Sequence, residues 1–444
     1  MKTRLFAFPM MILLVISCGG NPVEETGGLN VLIVIIDTLR ADHLGCYGYH
    51  RDVTPTLDSL AAVGAVWTEA QSQSSWTLPS TATILTGLTP REHGAGRSQG
   101  RFLGLSPEIP TLQLTLHGMG YRTIGIFNVV FLSEDFGFHR GFDHFDCRGV
   151  TGSRGCRRAE ETVDDFLEEL ETLEEDENFM AVVHFYDPHI PYDPPSPFDT
   201  LYAGSHENLL RTADRQTGII HPVNNGELIL SDTSLNLMEG LYDGEIAYTD
   251  REIGRMLSIM RENGITDSTI VVVVSDHGEE FLEHGGIEHG RTLYQEVTHI
   301  PLILSGPGIP AGAVREDPAS HVDILPTVMA VLGIEPESTV WGRNLLAGEV
   351  GYADIPASNL LWSEEPQASI RRGNHKIIWS PDNAEWDIYD LESDPMELDP
   401  MDTSDVSLLE SVEYYWTTPP VAEAPEVSFT AAQNNQLRDL GYIR

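Results

Sequence analysis

Three short clusters stand where apolar runs stop, and their residue types suit ester chemistry around a hard divalent cation. Asp37 follows LNVLIVII, and Asp276-His277 follow TIVVVVS. Two carboxylates and an imidazole offer donors for Mg, Ca or Mn, and the ring nitrogen also admits Mn or Zn. Taken singly, each Asp equally fits a turn residue that ends a strand. Asp187-Pro188-His189 comes just after the run Met180–Val183, and an imidazole there is suited to donate to an ester oxygen. His284 and His289 lie in EFLEHGGIEHG; they read as donors behind a ligand, as substrate contacts, or as solvated loop residues. Arg40 reads as a charge that neutralises substrate or as a structural ion-pair partner.

The nucleophile these groups would serve is Thr77, in SWTLPSTATILTG. It sits ahead of a predicted helix, with Pro79 near the first helical position and Gly87 past the last apolar turn. A helix mouth points free N–H groups and partial positive charge at whatever Thr77 would attack. The plain alternative is that Thr77 or Ser80 only caps that helix.

These residues need a scaffold that brings distant segments together. The continuous β-branched runs Leu29–Ile36, Met180–Val183 and Ile270–Val274 read as buried parallel strands. Helical patterns cover Thr56–Val63, Pro110–His117, Ala159–Leu173 and Leu235–Arg261. Alternating strands and helices imply an α/β sandwich about a central, mostly parallel sheet, whose sites collect at strand carboxyl ends. The stretch 193–230 reads as an irregular surface excursion near the site. Beyond Gly333 the pattern changes: Lys376–Trp379 and Trp386–Leu391 read as two strands joined at Pro381-Asp382-Asn383, in a small α+β subdomain.

The 444 residues include 68 acidic and 26 basic side chains, a net charge of -42. Such a surface disfavours nucleic acid as a partner. It also repels anionic substrates at long range, so a phosphate or sulfate ester needs a metal or local donors to hold it. At the N-terminus, Lys2 and Arg4 precede the apolar run Leu5–Ile16, an export signal too short to span a bilayer. Val15-Ile16-Ser17-Cys18-Gly19 resembles a bacterial lipobox, which implies cleavage before Cys18 and lipidation of its sulfur. The expected layout is signal peptide 1–18, tether 19–28, catalytic domain 29–333 and C-terminal subdomain 334–444. The expected location is the bacterial cell envelope, periplasmic or outer-membrane, with the membrane met through the lipid. Outside the cytoplasm Cys147 and Cys156 either pair or stay free, and Cys46 reads as a packed thiol.

LIVIIDTLRADHLGCYGY, WTLPSTATILTG, FYDPHIPY, VVVVSDHGEEFLEHG and LYQEVTHIPLILSGPG, with VDILPTVMAVLGI, DIYDLESDPME and LRDLGYIR later, together resemble the sulfatase family, in order, from about Leu29 to Arg444. The resemblance implies an alkaline-phosphatase-like core, one divalent metal ion (Ca, Mg, Mn or Zn) and attack on a sulfur or phosphorus ester of a small molecule, glycan or lipid headgroup. The sequence departs from the family pattern at several places. Thr77 stands where the family has the Cys or Ser that matures to formylglycine; a secondary alcohol would yield a ketone, so that maturation is not expected. Thr81 takes the place of an Arg, Thr38 of a second Asp, Asn128 and Val130 of a sulfate-clamping Lys and His, and His289 of a later Lys. Asp37, Asp276, His277 and His189 match.

Thr nucleophiles are instead typical of phosphorus-handling relatives: nucleotide pyrophosphatases and phosphodiesterases, and phosphoglycerol or phosphoethanolamine transferases. The expectation is therefore a hydrolase with Thr77 attacking, Asp37, Asp276 and His277 on the metal, and His189 or His289 protonating the leaving oxygen. Asn128, Arg40 and His284 are the expected substrate contacts. Phosphoester or phosphodiester is favoured over sulfate. The alternatives are a transferase and a catalytically degenerate binding protein.

Overall fold

The computed structural model describes residues 28–148, 157–204, 209–335, 341–348, 354–359, 366–402, 406–431, 433–434 and 437. The signal peptide, Cys18 and nearly all of the tether lie outside the described residues, as does Cys156 and with it any Cys147–Cys156 pairing. Among the described residues no helix is long and apolar enough to cross a membrane.

An eight-stranded sheet forms the centre. Its middle strand, Asn30–Ile36, pairs parallel with Phe179–Phe185 on one side and Thr269–Ser275 on the other. The runs NVLIVII, FMAVVHF and TIVVVVS are buried on both faces, as interior parallel strands require. Arg122–Phe127 and His144–Cys147 continue the sheet in parallel, while Leu302–Ser305 runs antiparallel beside Thr269–Ser275. Side-chain alternation divides the core in two. Val31, Ile33 and Ile35 face a layer containing the helices Thr77–Thr86, Leu112–Gly118 and Ile324–Val331. Leu32, Val34 and Ile36 face the helices Pro55–Val63, Ala159–Leu170 and Asp232–Glu262. Each buried Val or Ile contributes about 1.5–3 kcal/mol, which lets the sheet carry buried carboxylates at its end.

The helix Pro55–Val63 starts with Pro at its first position, and Asp250 of the long helix accepts from Thr56 N and Leu57 N, each at 2.9 Å. That carboxylate takes the place of a local cap.

Two expectations are corrected. The excursion 193–230 is not structureless: it holds the helices Phe198–Leu201 and Ala213–Asn224. The first of these lies against Gly244 of the long helix, where a Cβ would stand 2.5 Å from Phe198 O, so glycine inside that helix permits the contact. The C-terminal part has four antiparallel strands rather than two, Ile355–Ser358, Ala368–Arg372, His375–Ser380 and Glu385–Asp390. The helix Ser407–Thr417 packs on them through Leu408, Val412 and Tyr415. This subdomain is tied to the main sheet's loops by Gln295 N donating to Glu397 at 2.6 Å and by Lys376 Nζ donating to Thr298 Oγ1 at 3.2 Å, while Lys376 and Glu397 pair at 2.9 Å within the subdomain.

Candidate active site at the strand ends

The register of the three central strands builds the site. Ile36 lies opposite both Phe185 and Ser275, so Asp37 and Asp276 emerge side by side one residue later. Ligand atoms of Asp37, Asp276 and His277 all lie within 4.8 Å of one another, and all three residues are buried. His277 Nε2 is 3.6 Å from Asp37 Oδ1 and 3.4 Å from Asp276 Oδ2. Asp276 Oδ1 accepts from Thr38 N at 3.2 Å and His277 N at 2.9 Å. Thr38 holds a left-handed φ of 56°, a conformation uncommon for Thr.

The donor set fits a divalent cation. Asp276 Oδ2 and both oxygens of Asp37 are buried without a hydrogen-bond partner among the described residues. Burial, and then the Asp276 charge, push the Asp37 carboxyl well above its ordinary range. His277 Nδ1 lies 2.9 Å from Gly278 O; donating there fixes the tautomer and leaves the Nε2 lone pair facing the carboxylates. Gly278 is required at the next step, because a Cβ would stand 2.0 Å from Glu296 O.

Thr77 is the first residue of the helix Thr77–Thr86. Trp76 precedes it with extended backbone, and no side chain caps the helix. The capping role considered for Thr77 and Ser80 is therefore not the one observed. Thr77 Oγ1 instead lies 3.4 Å from His277 Nε2, and the first-turn N–H groups are left for a ligand. Ser72 holds the preceding turn against the strand end, its Oγ donating to Asp276 O at 2.7 Å. His93 anchors the same helix: its Nε2 lies 3.1 Å from Pro79 O and 3.2 Å from Thr83 Oγ1, while Ala95 N donates to Nδ1 at 3.0 Å.

That anchor predicts a pH dependence. Burial lowers the His93 pKa to about 3, below the unfolded value near 6.5. The folded state then binds fewer protons, so this contribution is complete above about pH 6.5 and is lost as pH falls toward 3. His93→Gln is expected to flatten the acid-side loss of unfolding free energy by up to ~4 kcal/mol, read by urea titrations at stepped pH. An unchanged slope would assign the acid sensitivity elsewhere.

The other sequence-derived residues separate into two groups. His189 and His289 join the site: their rings are 4.9 Å apart, and His289 is 4.3 Å from the His277 ring. Burial, and then the His289 charge, lower the His189 pKa. Burial presses His289 the same way, but Glu279, with Asp37 and Asp276 beyond it, outweighs burial and raises its pKa.

Arg40, Asn128 and His284 are held elsewhere. Arg40 binds Asp42 and Glu283 and donates to Glu279 O, the ion-pair role of its two readings. Asn128, fully buried, donates to Thr162 and to the His184 carbonyl and accepts from Arg157 Nε at 2.8 Å. Its polar atoms are consumed in the scaffold, and the substrate contact implied by its family position is corrected on that ground. His284 Nδ1 lies 2.7 Å from Glu296 and Nε2 3.2 Å from Glu397 O, with the ring stacked on Tyr294. It ties the loop to the C-terminal subdomain.

Two residues escaped the sequence reading. His184 lies within the strand Phe179–Phe185, with Nε2 3.5 Å from Asp37 Oδ2 and neither ring nitrogen hydrogen-bonded among the described residues; burial brings its pKa down to about 4. A lone imidazole in an apolar strand, two residues beyond Val182, was the available signal. Glu279, also fully buried, meets His289 Nδ1 at 3.0 Å.

A mixed α/β sheet carries, at its strand ends, a two-carboxylate, one-imidazole cluster able to hold a divalent cation beside a helix mouth. The family model described as Sulfatase matches residues 29–334, and the chain belongs to the sulfatase family, within the alkaline phosphatase superfamily. It is 25% identical to the N-acetylglucosamine-6-O-sulfatase of Bacteroides thetaiotaomicron, over 88% of this chain and 85% of that protein. It is 24% identical to the arylsulfatase of Clostridium perfringens, over 87% and 91%. The solved phosphonate monoester hydrolase of Agrobacterium radiobacter shares the fold, with a TM-score of 0.70, 20% identity, and coverage of 88% of this chain and 95% of that one.

Proposed function

We propose that this chain hydrolyses a singly charged ester of phosphorus or sulfur, with Thr77 as nucleophile. The observation that carries the reading is the Thr77 hydroxyl 3.4 Å from Nε2 of His277, which with Asp37 and Asp276 forms the cluster able to hold a cation. Asp37, Asp276 and His277 would hold a divalent ion, whose positive charge would ease loss of the Thr77 proton to water and favour approach of an anionic ester. Thr77 Oγ1 attacks in line and takes the group transiently. The first-turn N–H groups of its helix receive the developing negative charge. His289, oriented by Glu279, protonates the leaving oxygen, and His189 packs against it from the other side. Water then releases the group from Thr77.

Charge balance supports a monoanion. Asp37, Asp276 and Glu279 bring three carboxylates to the site, while Arg40 and Arg157 are bound to carboxylates of their own. Against three carboxylates one divalent ion leaves the site net negative, so each added substrate charge is opposed and a monoanion costs less than a dianion. The absence of a formylglycine precursor favours phosphodiesters, the phosphonate monoester hydrolase of similar fold adds phosphonate monoesters as a candidate, and the sulfate-cleaving relatives keep sulfate monoesters as the second reading. Paired assays on bis(4-nitrophenyl) phosphate, 4-nitrophenyl phenylphosphonate, 4-nitrophenyl sulfate and 4-nitrophenyl phosphate test this. The singly charged esters are expected to exceed the dianion in kcat/KM by about tenfold or more. A preference for the dianionic phosphate would contradict the reading.

A further inference from the structure

We propose that Gln216, Tyr192 and Glu279 form a positioning relay through which the helix Ala213–Asn224 of the excursion fixes His289 toward the leaving oxygen. The proposal rests on the reading of Thr77 as nucleophile given above.

The chain of contacts is continuous and buried. Glu279 has both oxygens occupied: Oε1 faces His289 Nδ1 at 3.0 Å, and Oε2 accepts from Tyr192 OH at 2.9 Å. Tyr192 is itself held by Gln216, whose Oε1 accepts from Tyr192 N at 2.6 Å and whose Nε2 donates to Tyr192 O at 2.8 Å. Gln216 belongs to the helix Ala213–Asn224. The far end of the same helix pins the loop that carries His289. Asn224 Oδ1 accepts from Ile287 N at 2.8 Å, and Asn224 Nδ2 donates to Ile287 O at 3.1 Å. Between these anchors Glu288 holds a φ of 75°, a left-handed turn that an unsupported Glu would rarely keep.

The relay decides which ring nitrogen works. With Nδ1–H given to Glu279, the other nitrogen, Nε2, is the one left to act; among the described residues it has no hydrogen-bond partner. As Thr77 Oγ1 bonds to phosphorus or sulfur, the bond to the leaving oxygen breaks and its electron pair stays on that oxygen. The oxygen takes the Nε2 proton of a His289 ring protonated on both nitrogens, which leaves His289 neutral with Nδ1–H still on Glu279. A lysine in this position would need no such support. An imidazole does, because ring rotation would exchange the working nitrogen for the bound one.

Leaving-group dependence tests the relay. Tyr192→Phe removes one oxygen, and Glu279→Gln removes the carboxylate charge. Each variant is compared with wild type on a 4-nitrophenyl ester, whose leaving group departs without a proton, and on an alkyl ester of the same acid. The alkyl ester is expected to lose about tenfold in kcat/KM in Tyr192→Phe and about a hundredfold in Glu279→Gln. The 4-nitrophenyl ester is expected to change by less than about threefold in both. Equal losses on both esters, or none on either, would overturn the relay. Imidazole 15N shifts of wild-type protein give a readout free of turnover: neutral His289 is expected as the Nδ1–H tautomer, and an Nε2–H tautomer would refute the proposal. Thr77→Ala separates the two readings, since turnover surviving in that variant would defeat the nucleophile assignment while the tautomer result would still judge the relay.

Discussion

Thr77→Ala is expected to lower kcat by about 10⁴-fold or more while leaving divalent-ion content and thermal stability near wild type. Loss of a nucleophile that forms a covalent intermediate removes the whole two-step route, and ~10⁴-fold corresponds to ~5 kcal/mol of transition-state stabilisation. The structural cost is small, because among the described residues the Thr77 hydroxyl has one hydrogen-bond contact, His277 Nε2 at 3.4 Å, and no side-chain capping bond is made at the helix start. Thr77→Ser keeps an alcohol at the same place and is expected to retain activity within about a hundredfold, a weaker loss than removal of the nucleophile. Stopped assays with metal analysis of each variant check both statements. Activity of Thr77→Ala within about tenfold of wild type would place the nucleophile elsewhere.

The second large effect concerns the buried carboxylates. Removing divalent ions with a chelator is expected to abolish turnover and to lower the melting temperature, with both restored by one of Ca, Mg, Mn or Zn. The sign follows from the site: Asp37 and Asp276 are fully buried, and three of their four oxygens lack hydrogen-bond partners among the described residues. Their mutual repulsion opposes folding until a cation offsets it. An ion that binds only the folded state adds about 2.7 kcal/mol at a hundred times its Kd. Asp276→Asn keeps the Oδ1 that accepts from Thr38 N and His277 N but removes the charge. Its apo form is therefore expected to be at least as stable as apo wild type, while added ion stabilises wild type and not the variant. Calorimetric scans with and without ion read both signs at once. Equal stabilisation of the two proteins would show that the ion binds elsewhere.

The parts of this site legible in the sequence are those that depend on local grammar. Asp37 and Asp276-His277 could be read because each ends an apolar, β-branched run, and parallel strands bring such ends to one edge whatever their distance along the chain. Thr77 could be read because Pro79 and Gly87 bracket a helix. Residues whose role depends on packing were not legible in the same way. Asn128 holds a family position that implies substrate, yet it is absorbed by Thr162, Arg157 and the His184 carbonyl, partners set by the helix Ala159–Leu170 and its approach. Arg40 had two readings, and the nearby acids Asp42 and Glu283 decide between them. The helix Ala213–Asn224 went unrecognised because ADRQTGIIHPVN contains Pro222 and little apolar periodicity; tertiary contacts through Gln216 and Asn224 hold it. Glu279 is one of several acids in DHGEEFLEHGG, and only the fold distinguishes it as the partner of His289.

The most direct test of a Thr77 nucleophile within the Asp37, Asp276 and His277 cluster is mass spectrometry of protein acid-quenched during turnover of a 4-nitrophenyl ester. The expected result is a peptide spanning Thr77 that gains the mass of one transferred phosphoryl, phosphonyl or sulfuryl group, in wild type but not in Thr77→Ala or after chelation. An active enzyme whose adduct maps to another residue, or persists in Thr77→Ala, would contradict it.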